Sequence, residues 1–239
     1  MRTSNPIFRE SIFNSRGSVS GAMTVSGTVN KTFILLALVV ASATLTWVSG
    51  FGPGISFIGG IVGFVFAMIT IFKKEWAPVT APLYALAEGV FIGGFSAMLE
   101  MSYPGIVIRA VVLTFGTLFC LLGAYRSGLI PVTERFRLGV ISATGAIAIV
   151  YLIGMVMSLF GVAPSYLVGG GLLSIGLSVV VVAVAALNLV LDFDFIEQAS
   201  DYGAPKYMEW VGAFGLMVTL VWLYIEILRL LSKLKDRER

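Results

Sequence analysis

The chain has 239 residues, of which 58% are hydrophobic and only 12% charged, with a mean hydropathy of +0.97. So little polar surface excludes a soluble globule, and runs without period-two alternation, such as Leu177 to Leu187, exclude an outer-membrane barrel. A net charge of +3 and an isoelectric point near 9.1 do not indicate nucleic acid, because the basic residues stand at the edges of apolar segments rather than on one folded face.

Residues 1–30 are rich in Ser, Thr, Asn and Gly, carry Arg2, Arg9 and Arg16, and contain no apolar run long enough for a signal-peptide core. They read as a flexible polar tail retained in the mature chain. Within it, Asn5-Pro6 to Phe13 has the pattern of a short interfacial or partner-binding segment, weighed against plain disorder.

At about 20 apolar residues per crossing, residues 31–232 form an all-α seven-helix transmembrane domain. The predicted spans are Lys31 to Ser49, Gly54 to Phe72, Ala77 to Leu99, Gly105 to Ala124, Leu138 to Phe160, Tyr166 to Leu191 and Met208 to Leu231. Phe51-Gly-Pro-Gly54, Tyr103-Pro104 and Ala163-Pro164-Ser165 are turn chemistry, so consecutive helices are expected to be antiparallel neighbours. The single cysteine, Cys120, lies in an apolar run and reads as lipid-facing or packing.

Basic residues alternate by loop. Lys31, Lys73, Lys74, Arg126, Arg135, Arg137 and Lys206 fall on the side of the N-terminal tail, and the opposite connections carry no Lys or Arg. The positive-inside rule then makes the N-terminus cytoplasmic. The basic residues 233–239, a charged C-terminal tail, run against that rule if the last span crosses fully. Met208 to Leu231 is nevertheless long and free of Pro, which favours a full crossing over a re-entrant one.

Charges inside the spans are the functional candidates, since an ionisable group in a bilayer is costly. Glu88 lies eleven residues into the third span, near the midplane at about 1.5 Å per residue. Gly89 and Gly93 beside it, like Gly59 and Gly63 in the second span, form small-xxx-small steps for close helix approach. Glu100 and Arg109 are expected to form a structural ion pair across a short loop. Glu226 and Arg229 share a helix face in the last span, where Glu226 is either structural or part of a cation path. The sixth span closes in Asn188-Leu-Val-Leu-Asp192-Phe-Asp194-Phe-Ile-Glu197, and Asp192, Asp194, Glu197, Asp201 and Glu209 surround a single Lys206. Two residues apart on a helix, Asp192 and Asp194 point about 200° from each other. One is therefore expected to face the bundle and the other the headgroups or a basic neighbour such as Lys73 or Lys74.

The seven spans, the Leu-Asp-Phe-Asp-Phe-Ile close of the sixth, and a last span ending Tyr224-Ile-Glu-Ile-Leu-Arg229-Leu-Leu resemble the Bax inhibitor (transmembrane Bax inhibitor motif) family in its bacterial branch. The resemblance covers about residues 31 to 232. It implies a central last helix wrapped by six others, and a calcium leak with a pH-sensitive aspartate pair on the last two helices and a basic latch on the second. By position the sixth-helix aspartate is Asp192, with Asp194 an additional acid, and the latch is Lys73 or Lys74. Thr219 stands where the family has its seventh-helix aspartate, and Asp194 or Glu226 is the candidate substitute.

Such a protein needs no cofactor. Its expected partners are membrane lipids, protons and calcium, a hard cation that carboxylates such as Asp192 and Asp194 attract, and its expected location is the bacterial cytoplasmic membrane. Rival readings are a proton-coupled transporter using Glu88, and a non-transporting adaptor using the tail. No enzyme is indicated: there is no His for a serine-type site, no Gly-x-Gly-Asp setting for an aspartyl one, and no Gly-x-x-x-x-Gly-Lys loop for an ATP-driven pump.

Overall fold

A computed structural model of the chain describes residues 21–50, 53–161, 169 and 171–238. Arg2, Arg9, Arg16, the Asn5 to Phe13 pattern, the Phe51-Gly52 and Ala163 to Ser165 turns and the start of the sixth span at Tyr166 lie outside them. Seven long helices make up the described chain: α1 Val25–Ser49, α2 Pro53–Phe72, α3 Ala77–Ser102, α4 Ile106–Arg126, α5 Glu134–Leu159, α6 Leu172–Asp201 and α7 Met208–Glu238. A single 3-10 turn, Lys74–Trp76, leads into α3. All seven helices are long and apolar enough to cross a membrane.

The helix ends have local causes. Thr24 caps α1, its hydroxyl accepting from Gly27 N at 3.0 Å, and Gly50 ends it in the left-handed conformation that glycine adopts without a Cβ penalty. Thr133 caps α5 in the same way, accepting from Phe136 N at 3.2 Å. Several helices overrun their predicted spans. α1 begins before Lys31, α6 continues past Leu191 to Asp201, and α7 continues past Leu231 to Glu238. Hydropathy drops where charges begin, but backbone hydrogen bonding does not, and a charged turn stays helical once it reaches the interface.

α7 is the axis of the bundle. In its most apolar window 67% of the residues are buried, against 17–39% for the other six. It packs on α1 and α3 on one side and on α4 and α6 on the other. Two apolar clusters meet along it: Leu35, Ala85 and Ile92 with Met217 and Val221, and Ala110, Ala185 and Leu189 with Leu220 and Leu223. α2 lies outside α3, and α5 lies outside α6.

In hydrocarbon no hydrophobic force drives these helices together, so backbone approach and dispersion must. A Cβ added to Gly89 would stand 2.5 Å from the Val39 carbonyl oxygen, and one on Gly93 would enter the Ala43 backbone; both contacts bring α3 onto α1. On the other flank of α3, Gly59 of α2 leaves a Cβ only 2.9 Å from the Ala87 carbonyl. Large apolar side chains such as Phe33, Phe57, Phe64 and Phe119 face outward with Cys120, as a lipid-facing exterior requires.

The antiparallel order gives the bundle two faces. The N-face gathers the starts of α1, α3, α5 and α7 and the ends of α2, α4 and α6, and the C-face gathers the opposite ends. At the C-face, Tyr103 donates to Asp236, and Lys235 donates to the Pro104 carbonyl at 3.1 Å. α7 therefore runs from one face to the other without re-entering.

Candidate functional site

The seam between α6 and α7 carries the site. Because α6 remains helical to Asp201, Asp192 lies nine residues inside that end, about 13 Å of helix rise. Its Oδ1 faces Gly215, where an added Cβ would stand 3.8 Å away, and the Thr219 hydroxyl lies beside it one turn further along α7. Its Oδ2 is buried with no hydrogen-bond partner among the described residues. Thr219, the position at which the family aspartate was expected, is thus the α7 residue opposite Asp192.

Asp194 points elsewhere, as two residues of helix rotation require. It accepts from Arg137 of α5 at 2.7 Å and from Gln198 at 2.9 Å, while Arg137 also reaches Glu134 at 3.6 Å. Glu197 accepts from the Tyr125 hydroxyl of α4. The two aspartates do not converge on one point, and among the described residues no group of three His, Cys, Asp or Glu side chains gathers as a metal site. Asp194, Glu197 and Arg126 instead border an N-face cleft of about 780 Å³ between α1 and α4, with Phe193 and Leu216 on its floor.

The other expected residues are scattered. Lys73 lies over the Trp76 ring at 4.8 Å and Lys74 opens the exposed 3-10 turn; neither pairs with Asp192 or Asp194 in this structure. Glu88 lies at the α2–α3 contact beside Tyr84, its Oε2 3.1 Å from where a Gly63 Cβ would stand. Glu100 does not join Arg109. It accepts from Gly105 N at 2.5 Å and Val107 N at 3.1 Å, satisfying amides at the start of α4, and Arg109 is exposed. Glu226 is buried, accepting from Tyr151 of α5 at 2.9 Å and Arg229 at 3.1 Å.

Two charged positions carry more than the sequence reading assigned them. Glu209 is wholly buried at the start of α7 and gathers Lys31 of α1, Lys206 at 2.8 Å, and the Thr24 amide and hydroxyl at 3.0 and 2.9 Å. Together with the Met23 amide on the Ala204 carbonyl at 2.7 Å, it ties the entry to α1 to the α6–α7 loop. Its spacing of three from Lys206, at a helix start, was a legible signal. Lys233 is buried between α7 and α6, and its register with Glu226 and Arg229 was the corresponding sign.

The family described as Bax inhibitor 1 like matches residues 5–236. The chain belongs to the Bax inhibitor 1-like family. That match begins well before residue 31, so the family pattern takes in part of the polar tail, and it ends within the last turn of α7. No curated protein and no solved structure matches the chain. The seven-helix bundle with a buried last helix is therefore an integral membrane protein of the Bax inhibitor 1-like family, in contact with lipid along its apolar exterior.

Proposed function

We propose that this Bax inhibitor 1-like protein is a pH-sensitive cation leak, with calcium as the principal ion, and that Asp192 is its gate. The observation that carries the reading is the buried, unpartnered Oδ2 of Asp192 facing Gly215 and Thr219 on the central helix. An ionisable group inside a span with one oxygen left without a donor is costly, and such groups mark ion and proton paths. The largely apolar N-face cleft carries the carboxylates of Asp194 and Glu197 at its border, which attract a hard cation to that face. Through its middle turns, from Leu189 to Val181 on α6, the seam is apolar, with Ala185, Leu220 and Leu223 packed there, so conduction requires α6 and α7 to part.

Protonation of Asp192 changes what that seam holds by one full charge, which shifts the balance between a parted and a closed pair of helices. Asp194 remains tied to α5, and Lys73 or Lys74 acts as the latch of a state in which the N-face has rearranged. The N-face, which carries most of the basic loop residues, is cytoplasmic in the bacterial membrane. Transport, not chemistry, is the activity.

Calcium entry into dye-loaded liposomes containing the purified protein, at pH 6 and pH 8, tests this. Asp192→Asn fixes the neutral form, so its flux is expected to be the same at both pH values and to resemble the wild type at pH 6. An unchanged pH profile in the variant refutes the gate, and no flux above empty liposomes refutes the leak. Glu88, at mid-depth against Gly63, favours a second reading as a proton-coupled transporter, which saturable uptake of a small solute would reveal.

A further inference from the structure

The α6–α7 seam has a second polar contact at its other end. Lys233 is only 6% exposed, and its ammonium donates to the Ser178 hydroxyl at 2.8 Å and the Ser174 carbonyl at 3.3 Å, both on the first turns of α6. Among the described residues no carboxylate forms an ion pair with it. This is an unfavourable place for a cation: it is withdrawn from water and set against a helix N-terminus, whose dipole is positive.

The surroundings hold it there. Glu226, Arg229 and Lys233 follow one another at intervals of three and four residues along one face of α7. Glu226 is clamped by Tyr151 and Arg229, and the Arg229 guanidinium lies 5.2 Å from the centre of the Tyr151 ring. The two polar contacts are also in register. Fourteen residues separate Ser178 from Asp192 on α6, and fourteen separate Thr219 from Lys233 on α7. Each interval is about 21 Å of helix rise, so the antiparallel pair aligns Asp192 with Thr219 and Ser178 with Lys233 along a single line.

We propose that Lys233 closes the C-face end of the α6–α7 seam against cations, with Tyr151, Glu226 and Arg229 holding α7 in the register that places it. This rests on the leak reading of Asp192 and adds a second closure to it. A cation entering from the N-face past Asp192 meets a fixed ammonium at the far end of the same line. The seam conducts only when the Lys233 stem swings its amine out to the C-face, a motion its four-carbon length allows. Lys233 is a positioning and charge-selecting residue in this scheme.

The sole native cysteine makes the closure measurable apart from flux. In a Cys120→Ser background, Ser174→Cys puts a thiol at a site that is 1% exposed, and because the Ser174 hydroxyl has no partner among the described residues the change leaves both contacts of Lys233 intact. The full chain in liposomes is treated with a membrane-impermeant thiol reagent present on both sides. Slow labelling is expected in this parent, at least tenfold faster labelling in Lys233→Met, and parent-like labelling in Lys233→Arg, which also serves as the folding control. Calcium flux is expected to rise several-fold in Lys233→Met alone. Fast labelling of the parent, or unchanged labelling in Lys233→Met, overturns the closure whatever the flux does. Accelerated labelling with no calcium flux in any variant overturns the leak reading and leaves Lys233 as a seal without a channel.

Discussion

Removing the Glu209 carboxylate is expected to destabilise the protein far more than removing the more exposed of its two cationic partners. Glu209 has no exposed surface and accepts from Lys31, Lys206 and both donors of Thr24. Glu209→Ala strands the Lys31 ammonium, 19% exposed, and the Thr24 amide at the entry to α1. Breaking a buried pair costs about 3 to 5 kcal/mol, and partial exposure of Lys31 puts this one at the lower end, about 3 kcal/mol. Lys206 is 56% exposed and three residues away on the same turn, so its pair contributes at most about 0.5 kcal/mol. At about 2 to 4 °C per kcal/mol for a chain of this size, Glu209→Ala lowers Tm by about 6 to 12 °C and Lys206→Ala by no more than about 2 °C. Thermal unfolding in detergent, followed by tryptophan emission, reads the difference, and Trp210 lies 5.5 Å from the Lys31 amine. Equal shifts for Lys206→Ala and Lys31→Ala, or a shift below about 3 °C for Glu209→Ala, refute the argument that burial decides which pair matters.

Gly93→Leu drives a side chain into the Ala43 backbone and is expected to separate α3 from α1, lowering Tm by more than Glu209→Ala and reducing the yield of monodisperse protein on size exclusion. A double-mutant cycle on Arg137 and Asp194 is expected to give a small coupling, well below the cost of Glu209→Ala, because the pair is close at 2.7 Å but Arg137 is one-third exposed. Asp194→Asn in the same flux assay is expected to change the leak rate less than Asp192→Asn does, since its partner lies on α5 and not on the central helix.

Span count and class were legible because hydropathy is summed over twenty residues and tolerates local error. The glycine steps were legible for the same kind of reason: spacing on a helix fixes a face, and Gly59, Gly63, Gly89 and Gly93 do lie at close contacts. Helix rotation also anticipated that Asp192 and Asp194 would part. Pairings between elements were not legible. Glu100 and Arg109 stand close in sequence and opposite in charge, yet the amides at the start of α4 take the carboxylate, since the first amides of a helix have no intrahelical acceptor. The end of α6 was not legible either, because a stretch of alternating Asp and Phe lowers hydropathy without ending the helix, so the apolar boundary and the end of the helix fall about ten residues apart.

The acids of this protein differ in what they have been given. Asp194 has Arg137, Glu197 has Tyr125, Glu209 has Lys31 and Thr24, Glu226 has Tyr151 and Arg229, and Glu100 has backbone amides. Apart from Arg229, which shares α7 with Glu226, each partner comes from another segment, and the contact ties that segment to the helix of the acid. Asp192 alone among the described acids keeps a buried oxygen without a donor, and it does so on the contact between α6 and the central α7. A seam under selection for stability alone would close with Leu or Ala, as the turns on the C-face side of it do at Ala185 and Leu189. An acid in that position contributes nothing to packing that Leu would not exceed. Under the proposed leak reading, its value lies in a second state, one where α6 and α7 have parted and the carboxylate meets water, a proton or a cation.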